Sequence, residues 1–206
     1  STLTNAPAPP TLLNIYLSSA AVSWSVPSGG VASFRLEASS HSDFSGPILS
    51  SSTSSGSETS LVISSLLANT TYFFRVAALN WNNKAQYSTA LSTGTLANPV
   101  SRLQSDFLRV FTASITVHWA ALPASPQHQS AQGYLLQASS TNFNGMGITL
   151  SSITPSFSLS TLTVNALSPN TTYYFRVGSL NWSHVPNFQT LSATSRMPAP
   201  ADPTGT

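Results

Sequence analysis

Apolar residues alternate with a period of two along short segments of the chain. In residues 34–39, Phe34, Leu36 and Ala38 alternate with more polar neighbours, and residues 61–64 and 72–79 show the same alternation. Clusters of Ser, Gly, Pro and Asn separate these segments, and no stretch shows a helical period of 3.6. The pattern predicts an all-β chain of short antiparallel strands packed as β-sandwiches. The predicted core face of 72–79 carries Tyr72, Phe74, Val76 and Ala78.

The chain contains an internal duplication. Residues 66–81 and 167–182 are identical at 11 of 16 positions with an offset of 101. Upstream, the Val-x-Trp of Trp24 recurs at Trp119, and an Ala-Ser-Ser sequence ends both 34–40 and 134–140. Repeats of about 100 residues are long enough to form separate domains with their own cores. We predict two tandem domains, 1–97 and 98–200, with 201–206 as a linker or tail.

The duplicated residues resemble the fibronectin type III family. Each copy has one Trp on its second strand, followed by a Leu-x-x-x-Thr-x-Tyr-x-Phe-Arg-Val sequence, at 66–76 and at 167–177. The resemblance implies two seven-stranded sandwiches in which strands A, B and E pack on strands C, C′, F and G. It also implies that Tyr72 and Tyr173 form the tyrosine corner at the connection of strands E and F.

Alternation gives strand F an unusually apolar outward face, and two interpretations of this face are open. In the first, Trp81 and Trp182 fold over the stems of Arg75 and Arg176 and shield the sheet through cation–π contacts. In the second, the face of the C–F–G sheet docks a protein, a sugar ring or a neighbouring domain. The outward residues are Phe73, Arg75, Ala77, Leu79 and Trp81 in the first copy, and Tyr174, Arg176, Gly178, Leu180 and Trp182 in the second. The candidate binding residues among them are Phe73, Arg75, Trp81, Tyr174, Arg176 and Trp182.

Charged residues make up only 6% of the 206 residues, with seven Lys and Arg, five Asp and Glu, and a net charge of +2. This is too few for a basic nucleic-acid groove, a charged disordered tail or a long coiled coil. The surface is instead rich in hydroxyl groups, with 39 Ser and 23 Thr. No apolar run approaches the ~20 residues of a membrane span. We therefore expect no nucleic-acid partner and no membrane insertion.

Catalytic and metal-binding patterns are missing from the sequence. The five carboxylates are dispersed, the four His lack the short spacing of zinc ligands, and there is no Cys. Neither a G-x-S-x-G elbow nor a glycine-rich phosphate loop occurs. We predict no catalytic residues, no metal site and no cofactor. Three Asn-x-Ser/Thr sequons, at Asn69, Asn170 and Asn181, occur no more often than chance allows, and whether they are used stays open.

These features favour a non-catalytic role in a larger secreted or cell-surface protein. The two domains would act as structural spacers and interaction units, with other domains of the same polypeptide as their first partners. The alternative is a specific carbohydrate- or protein-binding module that uses the outward aromatic side chains. The loop between strands B and C is five residues longer in the second copy, which is a weaker candidate for recognition.

Overall fold

The computed structural model describes residues 2–103, 105–191 and 195–196. The chain divides into two compact units, Ser1–Leu96 and Ala97–Thr206, which we call unit 1 and unit 2. The predicted linker 201–206 lies outside the described residues. No helix in the described part of the chain is long and apolar enough to cross a membrane.

Unit 1 is a sandwich of two antiparallel sheets. The smaller sheet has the order β1-β2-β5, and the larger has the order β4-β3-β6-β7 with β8 also paired to β6. The strands are β1 Thr11–Ile15, β2 Ser19–Ser23, β3 Ser33–Ser39, β4 Ile48–Ser52, β5 Ser60–Ser64, β6 Thr71–Leu79, β7 Ala85–Tyr87 and β8 Leu91–Gly94.

Unit 2 repeats this arrangement strand for strand. Its smaller sheet has the order β13-β10-β9, and its larger sheet has the order β12-β11-β14-β15 with β16 paired to β14. The strands are β9 Phe107–Val110, β10 Ile115–His118, β11 Gly133–Ser139, β12 Thr149–Thr154, β13 Thr161–Val164, β14 Thr172–Leu180, β15 Pro186–Thr190 and β16 Ser195–Arg196. The predicted fold of two all-β antiparallel sandwiches is confirmed.

The last strand of unit 1 is interrupted between β7 and β8, so the expected seven strands occur there as eight segments. Ser88 replaces a regular rung of the ladder at this break. Its backbone N–H donates to the carbonyl of Val76 (2.8 Å) and its hydroxyl accepts from the Val76 N–H (3.0 Å). Both polar groups of Val76 are therefore satisfied although the strand is broken.

Each unit has its own buried core, which contains the residues that alternation predicts. On β6, Tyr72, Phe74, Val76 and Ala78 are all buried. The Trp of each copy packs on an aromatic ring of strand C, which is β3 in unit 1 and β11 in unit 2. The ring centroids lie 5.2 Å apart for Trp24 and Phe34 and 5.1 Å apart for Trp119 and Tyr134. The two clusters are separate, so each unit closes its core with its own residues.

The tyrosine corners that the family resemblance implies are present in both units. The Tyr72 hydroxyl accepts a hydrogen bond from the backbone N–H of Leu67, and the Tyr173 hydroxyl accepts one from Ser168, both at 3.1 Å. Because each bond spans five residues, it fixes the connection between the two sheets at the start of strand F, which is β6 in unit 1 and β14 in unit 2.

Candidate functional site

The outer face of the larger sheet, which is the face turned away from the core, carries one arginine in the middle of strand F. In unit 1, Arg75 on β6 lies opposite Glu37 on β3. In unit 2, Arg176 on β14 lies opposite Gln137 on β11. Both arginines lie on the outer face of the sheet, as strand alternation predicts.

Arg75 is enclosed on both faces of its guanidinium. Its Cζ atom lies 3.9 Å from the ring centroids of both Phe44 and Tyr87. Its Nε donates to Glu37 Oε2 at 2.9 Å, and its second nitrogen lies 2.8 Å from the same oxygen. We call this arrangement the first arginine cage.

Glu37 also binds a second arginine. Arg35 Nε lies 2.8 Å from Glu37 Oε1, and another Arg35 nitrogen donates to the Tyr87 hydroxyl at 2.9 Å. Burial disfavours the charge of Arg35, but the Tyr87 hydroxyl and the Glu37 carboxylate outweigh it and raise the pKa of Arg35. Glu37 alternates with the core residues Leu36 and Ala38 and therefore lies on the outer face, where these side chains cover it until only 5% of it is exposed.

Unit 2 builds the second arginine cage with an amide in place of the carboxylate. Arg176 Cζ lies 4.0 Å from the Phe143 ring centroid and 3.9 Å from the Phe188 centroid. Its Nε donates to Gln137 Oε1 at 2.8 Å. Burial lowers the pKa of Arg176 from its ordinary value. No ion pair within residues 105–191 includes Arg176.

One ring of each cage comes from a residue with a left-handed backbone. Phe44 has φ +57° and Phe143 has φ +59°, and both lie in the turn after strand C. A bulky residue in this region costs about 1–2 kcal/mol. The same strain recurs in both units at the residue that covers the arginine, so we attribute it to placing the ring over the guanidinium.

The interpretation that Trp81 and Trp182 cover the arginines is wrong. Cation–π contacts do shield both arginines, but through Phe44, Tyr87, Phe143 and Phe188 rather than through the two tryptophans. Strand F ends two residues before each Trp, so the alternation that put Trp on the outer face no longer applies there. Trp81 is 69% exposed and Trp182 is 48% exposed.

An asparagine before each Trp shapes the turn that follows strand F, between β6 and β7 in unit 1 and between β14 and β15 in unit 2. The side-chain oxygen of Asn80 accepts from the N–H groups of Asn82 (3.0 Å) and Lys84 (2.9 Å). Asn181 accepts in the same way from Ser183 (2.9 Å) and Val185 (2.8 Å). The buried asparagine thus holds a tight turn that leaves the next residue, Trp, in solvent.

The rest of the predicted outward face is more covered than alternation suggested. Ala77 is fully buried because Arg35 and Tyr87 flank it on the neighbouring strands and bond to each other across it. Leu79 and Leu180, predicted to face outward, are also buried. Phe73 and Tyr174 lie on the outer face as predicted, and both are partly buried.

Gly178 occupies in unit 2 the position that Ala77 holds in unit 1. A Cβ at residue 178 would lie 2.9 Å from a ring carbon of Phe188 and 2.8 Å from the Cβ of Pro186. The Phe188 ring therefore lies directly on the glycine backbone, which lets it reach Arg176.

Sequence reasoning missed the four aromatic residues that complete the cages. A signal was available, because Tyr87 follows Arg75 by 12 residues and Phe188 follows Arg176 by the same interval. Phe44 and Phe143 both follow the repeated Ala-Ser-Ser sequence, but with spacings that differ by one residue.

The three sequons differ in accessibility. Asn69 and Asn181 are fully buried, whereas Asn170 is exposed in the turn before β14. No group of three His, Asp or Glu residues in the described ranges is arranged to hold a metal ion.

The two units match two different family profiles. Residues 5–94 match the family described as Fibronectin type III domain, and residues 107–190 match the family described as Purple acid Phosphatase, N-terminal domain. No curated protein matches the chain.

Two solved chicken structures resemble the chain at low sequence identity. A two-domain fibronectin type III segment of chicken tenascin is 17% identical, with a TM-score of 0.47 over 92% of this chain and 100% of that one. The FN1–FN3 domains of chicken CNTN1 are 14% identical, with a TM-score of 0.48 over 95% of this chain and 69% of that one.

The profile match to unit 1, the internal duplication and the matching strand order give one conclusion. Unit 1 is a fibronectin type III domain, and the chain is a tandem pair of fibronectin type III-like β-sandwiches.

Proposed function

We propose that the chain is a non-catalytic structural and interaction element of a larger secreted or cell-surface protein, in which each unit holds its two ends apart. Fibronectin type III-like domains are generally non-catalytic and typically act as structural or interaction modules. The observation that carries the proposal is the path of the chain through each unit.

The chain enters and leaves unit 1 at opposite ends of β6. At entry, the side chain of Asn80, just beyond the last residue of β6, donates to the carbonyl of Thr2 at 2.9 Å. At exit, the carbonyl of Leu96 accepts from the N–H of Asn69, just before β6 begins, at 3.0 Å. A nine-residue strand spans about 27 Å, so the unit separates its ends by about that length.

Unit 2 is traversed in the same sense. At entry, the Ser179 hydroxyl near the end of β14 donates to the carbonyl of Asn98 at 2.6 Å. The last described segment, β16, pairs with Thr172 and Tyr173 at the beginning of β14. Each unit is therefore a spacer whose length is set by strand F, whichever domains lie on either side.

A distance measurement between spin labels tests the spacer role. The chain has no Cys, so Leu3→Cys and Leu67→Cys would place two labels at exposed positions near the entry and the exit of unit 1. We expect a narrow distribution near about 30 Å, because the strand length fixes the separation. A pair at Leu3→Cys and Trp81→Cys, both near the entry, is the control and should give a much shorter distance. A broad distribution for the first pair would refute the spacer role.

The secreted or surface location needs its own experiment. An antibody raised against the chain should label intact cells of the source organism, or detect the protein in their medium. Labelling only after the cells are permeabilised would contradict the location.

The second candidate function is binding of a carbohydrate or protein through the exposed tryptophans. Trp81 and Trp182 are the observation that favours it, because a large aromatic ring held in solvent by a rigid turn can stack on a ligand. The test replaces both by Ala, with the melting temperature of the variant measured alongside to show that both units remain folded. Binding on a glycan array by the native chain and its loss in this variant would support the candidate, and unchanged binding would reject it.

A further inference from the structure

The outer faces of the two units differ beside the arginine cages, although their strands pair in the same register. One row of residues crosses the larger sheet next to the caged arginine in each unit. In unit 1 this row is Ser52, Arg35, Ala77 and Tyr87. In unit 2 it is Ile153, Leu135, Gly178 and Phe188, which we call the apolar row.

The apolar row is accessible. Ile153 lies on the edge strand β12 and is 64% exposed, and Leu135 and Phe188 are partly exposed. The equivalent row of unit 1 carries a serine and an arginine at the positions of Ile153 and Leu135. Polar side chains are the ones expected on a sheet face that contacts only water. Apolar side chains at these two positions therefore indicate a contact with a partner.

The polar partner of the caged arginine differs as well. In the first cage Glu37 binds Arg75 through two nitrogens. In the second cage Gln137 supplies only one neutral oxygen to Arg176.

We propose that the apolar row and Arg176 of unit 2 form a docking surface for an extended protein segment in which an acidic residue and an apolar residue stand two positions apart. This rests on the proposed function, since it gives the interaction role a surface and a class of partner. Because side chains on one face of an extended segment repeat with a period of two, these two residues lie on the same face, at the spacing of rows across the sheet. Its carboxylate binds the nitrogens of Arg176 that Gln137 leaves open, and its apolar side chain covers Ile153.

The pre-formed cage makes Arg176 suited to this contact. Phe143 and Phe188 hold the guanidinium plane from both sides, so less side-chain entropy is lost when a carboxylate binds. The face is also partly dehydrated, which strengthens a charge-assisted hydrogen bond. Unit 1 shows the alternative, in which the carboxylate is built into the sheet as Glu37.

The test is an NMR titration of the full isotope-labelled chain with an acetylated and amidated peptide that repeats valine, serine, glutamate and serine, so that valine and glutamate lie on one face. The side-chain Nε–H signal of Arg176 should shift, and that of Arg75 in the same sample should not. Gln137→Glu supplies the carboxylate internally and should weaken binding at least tenfold. Ile153→Ser, which copies Ser52 of unit 1, should weaken it several-fold. Neither substitution removes a core residue, so both variants should remain folded.

Four results would overturn the proposal. They are no shift of the Arg176 signal, equal shifts at Arg75 and Arg176, undiminished binding by Gln137→Glu, and equal binding of the peptide with glutamine in place of glutamate. Tighter binding of an oligogalacturonate than of the peptide would also overturn it, because the partner would then be an acidic sugar. The spin-label distance in unit 1 does not depend on Arg176, so failure here leaves the spacer role intact.

Discussion

Replacing Phe143 by glycine should leave unit 2 more stable than replacing it by alanine. Both substitutions remove one of the two rings over Arg176, which costs about 1–2 kcal/mol for a partly buried cation–π contact. They differ in the backbone, because residue 143 has φ +59°. Alanine keeps the left-handed strain of about 1–2 kcal/mol and glycine relieves it, against an entropic cost of about 0.5–1 kcal/mol. We expect glycine to be favoured by about 1 kcal/mol.

The other ring of the same cage provides the matched control. Phe188 lies within β15 and is not among the residues with positive φ. There the usual order should hold, and Phe188→Gly should be less stable than Phe188→Ala by about 0.5–1 kcal/mol. Both pairs of variants remove a ring from the same arginine, and within each pair the difference between glycine and alanine reports the backbone conformation of the substituted residue.

Urea unfolding of the full chain, followed through amide NMR signals of each unit, measures these differences. The signals of unit 1 report whether the effect stays in unit 2. A difference of 1 kcal/mol corresponds to about 4–8 °C in melting temperature, which calorimetry would detect independently. If glycine were the worse substitution at both positions, the left-handed conformation of Phe143 would not exist in solution, and the strained placement of its ring would be refuted.

Three further predictions concern unit 2. Tyr173→Phe should destabilise it by about 0.5–1.5 kcal/mol in chemical denaturation, because the N–H of Ser168 loses its acceptor; a smaller effect than that of an exposed Tyr→Phe control would contradict the corner. Gly178→Ala should lower the stability of unit 2 by about 1–3 kcal/mol, because the new Cβ displaces the ring of Phe188. The weakened contact of Phe188 with Arg176 should shift the Nε–H signal of Arg176. Unchanged stability would mean that the ring does not lie on the glycine. Burial raises the pKa of the Tyr134 hydroxyl in the folded state. The stabilisation that the protonated hydroxyl gives is therefore complete below the pKa of the unfolded chain, near 10, and is lost as the pH rises through the folded pKa. The unfolding free energy of the native chain should therefore fall more steeply at alkaline pH than that of Tyr134→Phe, and parallel curves would contradict it.

Most of the fold could be predicted from the sequence because its signals are local and repeated. Alternation in 72–79 identifies the buried face of strand F, and the duplication of the segment around Trp24 and Trp119 gives the two-unit organisation. The interruption of the last strand at Ser88 could not be predicted. It depends on a side-chain hydroxyl replacing a backbone rung, and one more serine among 39 carries no distinguishing signal.

The candidate site was predicted only in part, for a different physical reason. Strand alternation locates Arg75 and Arg176 because their direction follows from the pleat of a single strand. The rings that enclose them come from a turn and from the last strand, so their positions depend on tertiary pairing. The period-two rule also fails where the strand ends, so alternation assigns Trp81 to the outer face although it lies in the next turn.

The course of the chain through unit 1 has a mechanical consequence. The chain enters beside Asn80, and β1 runs from that end toward the other, where the Tyr16 carbonyl accepts from the N–H of Leu96 at 3.1 Å. β8 runs in the same direction, from its rung with Phe74 to its rung with Thr71. Tension applied to the two ends of the unit therefore pulls β1 and β8 along their own axes in opposite senses. The ladders to β2 and β6 are loaded in shear, with all their hydrogen bonds sharing the force, and cannot be unzipped one rung at a time.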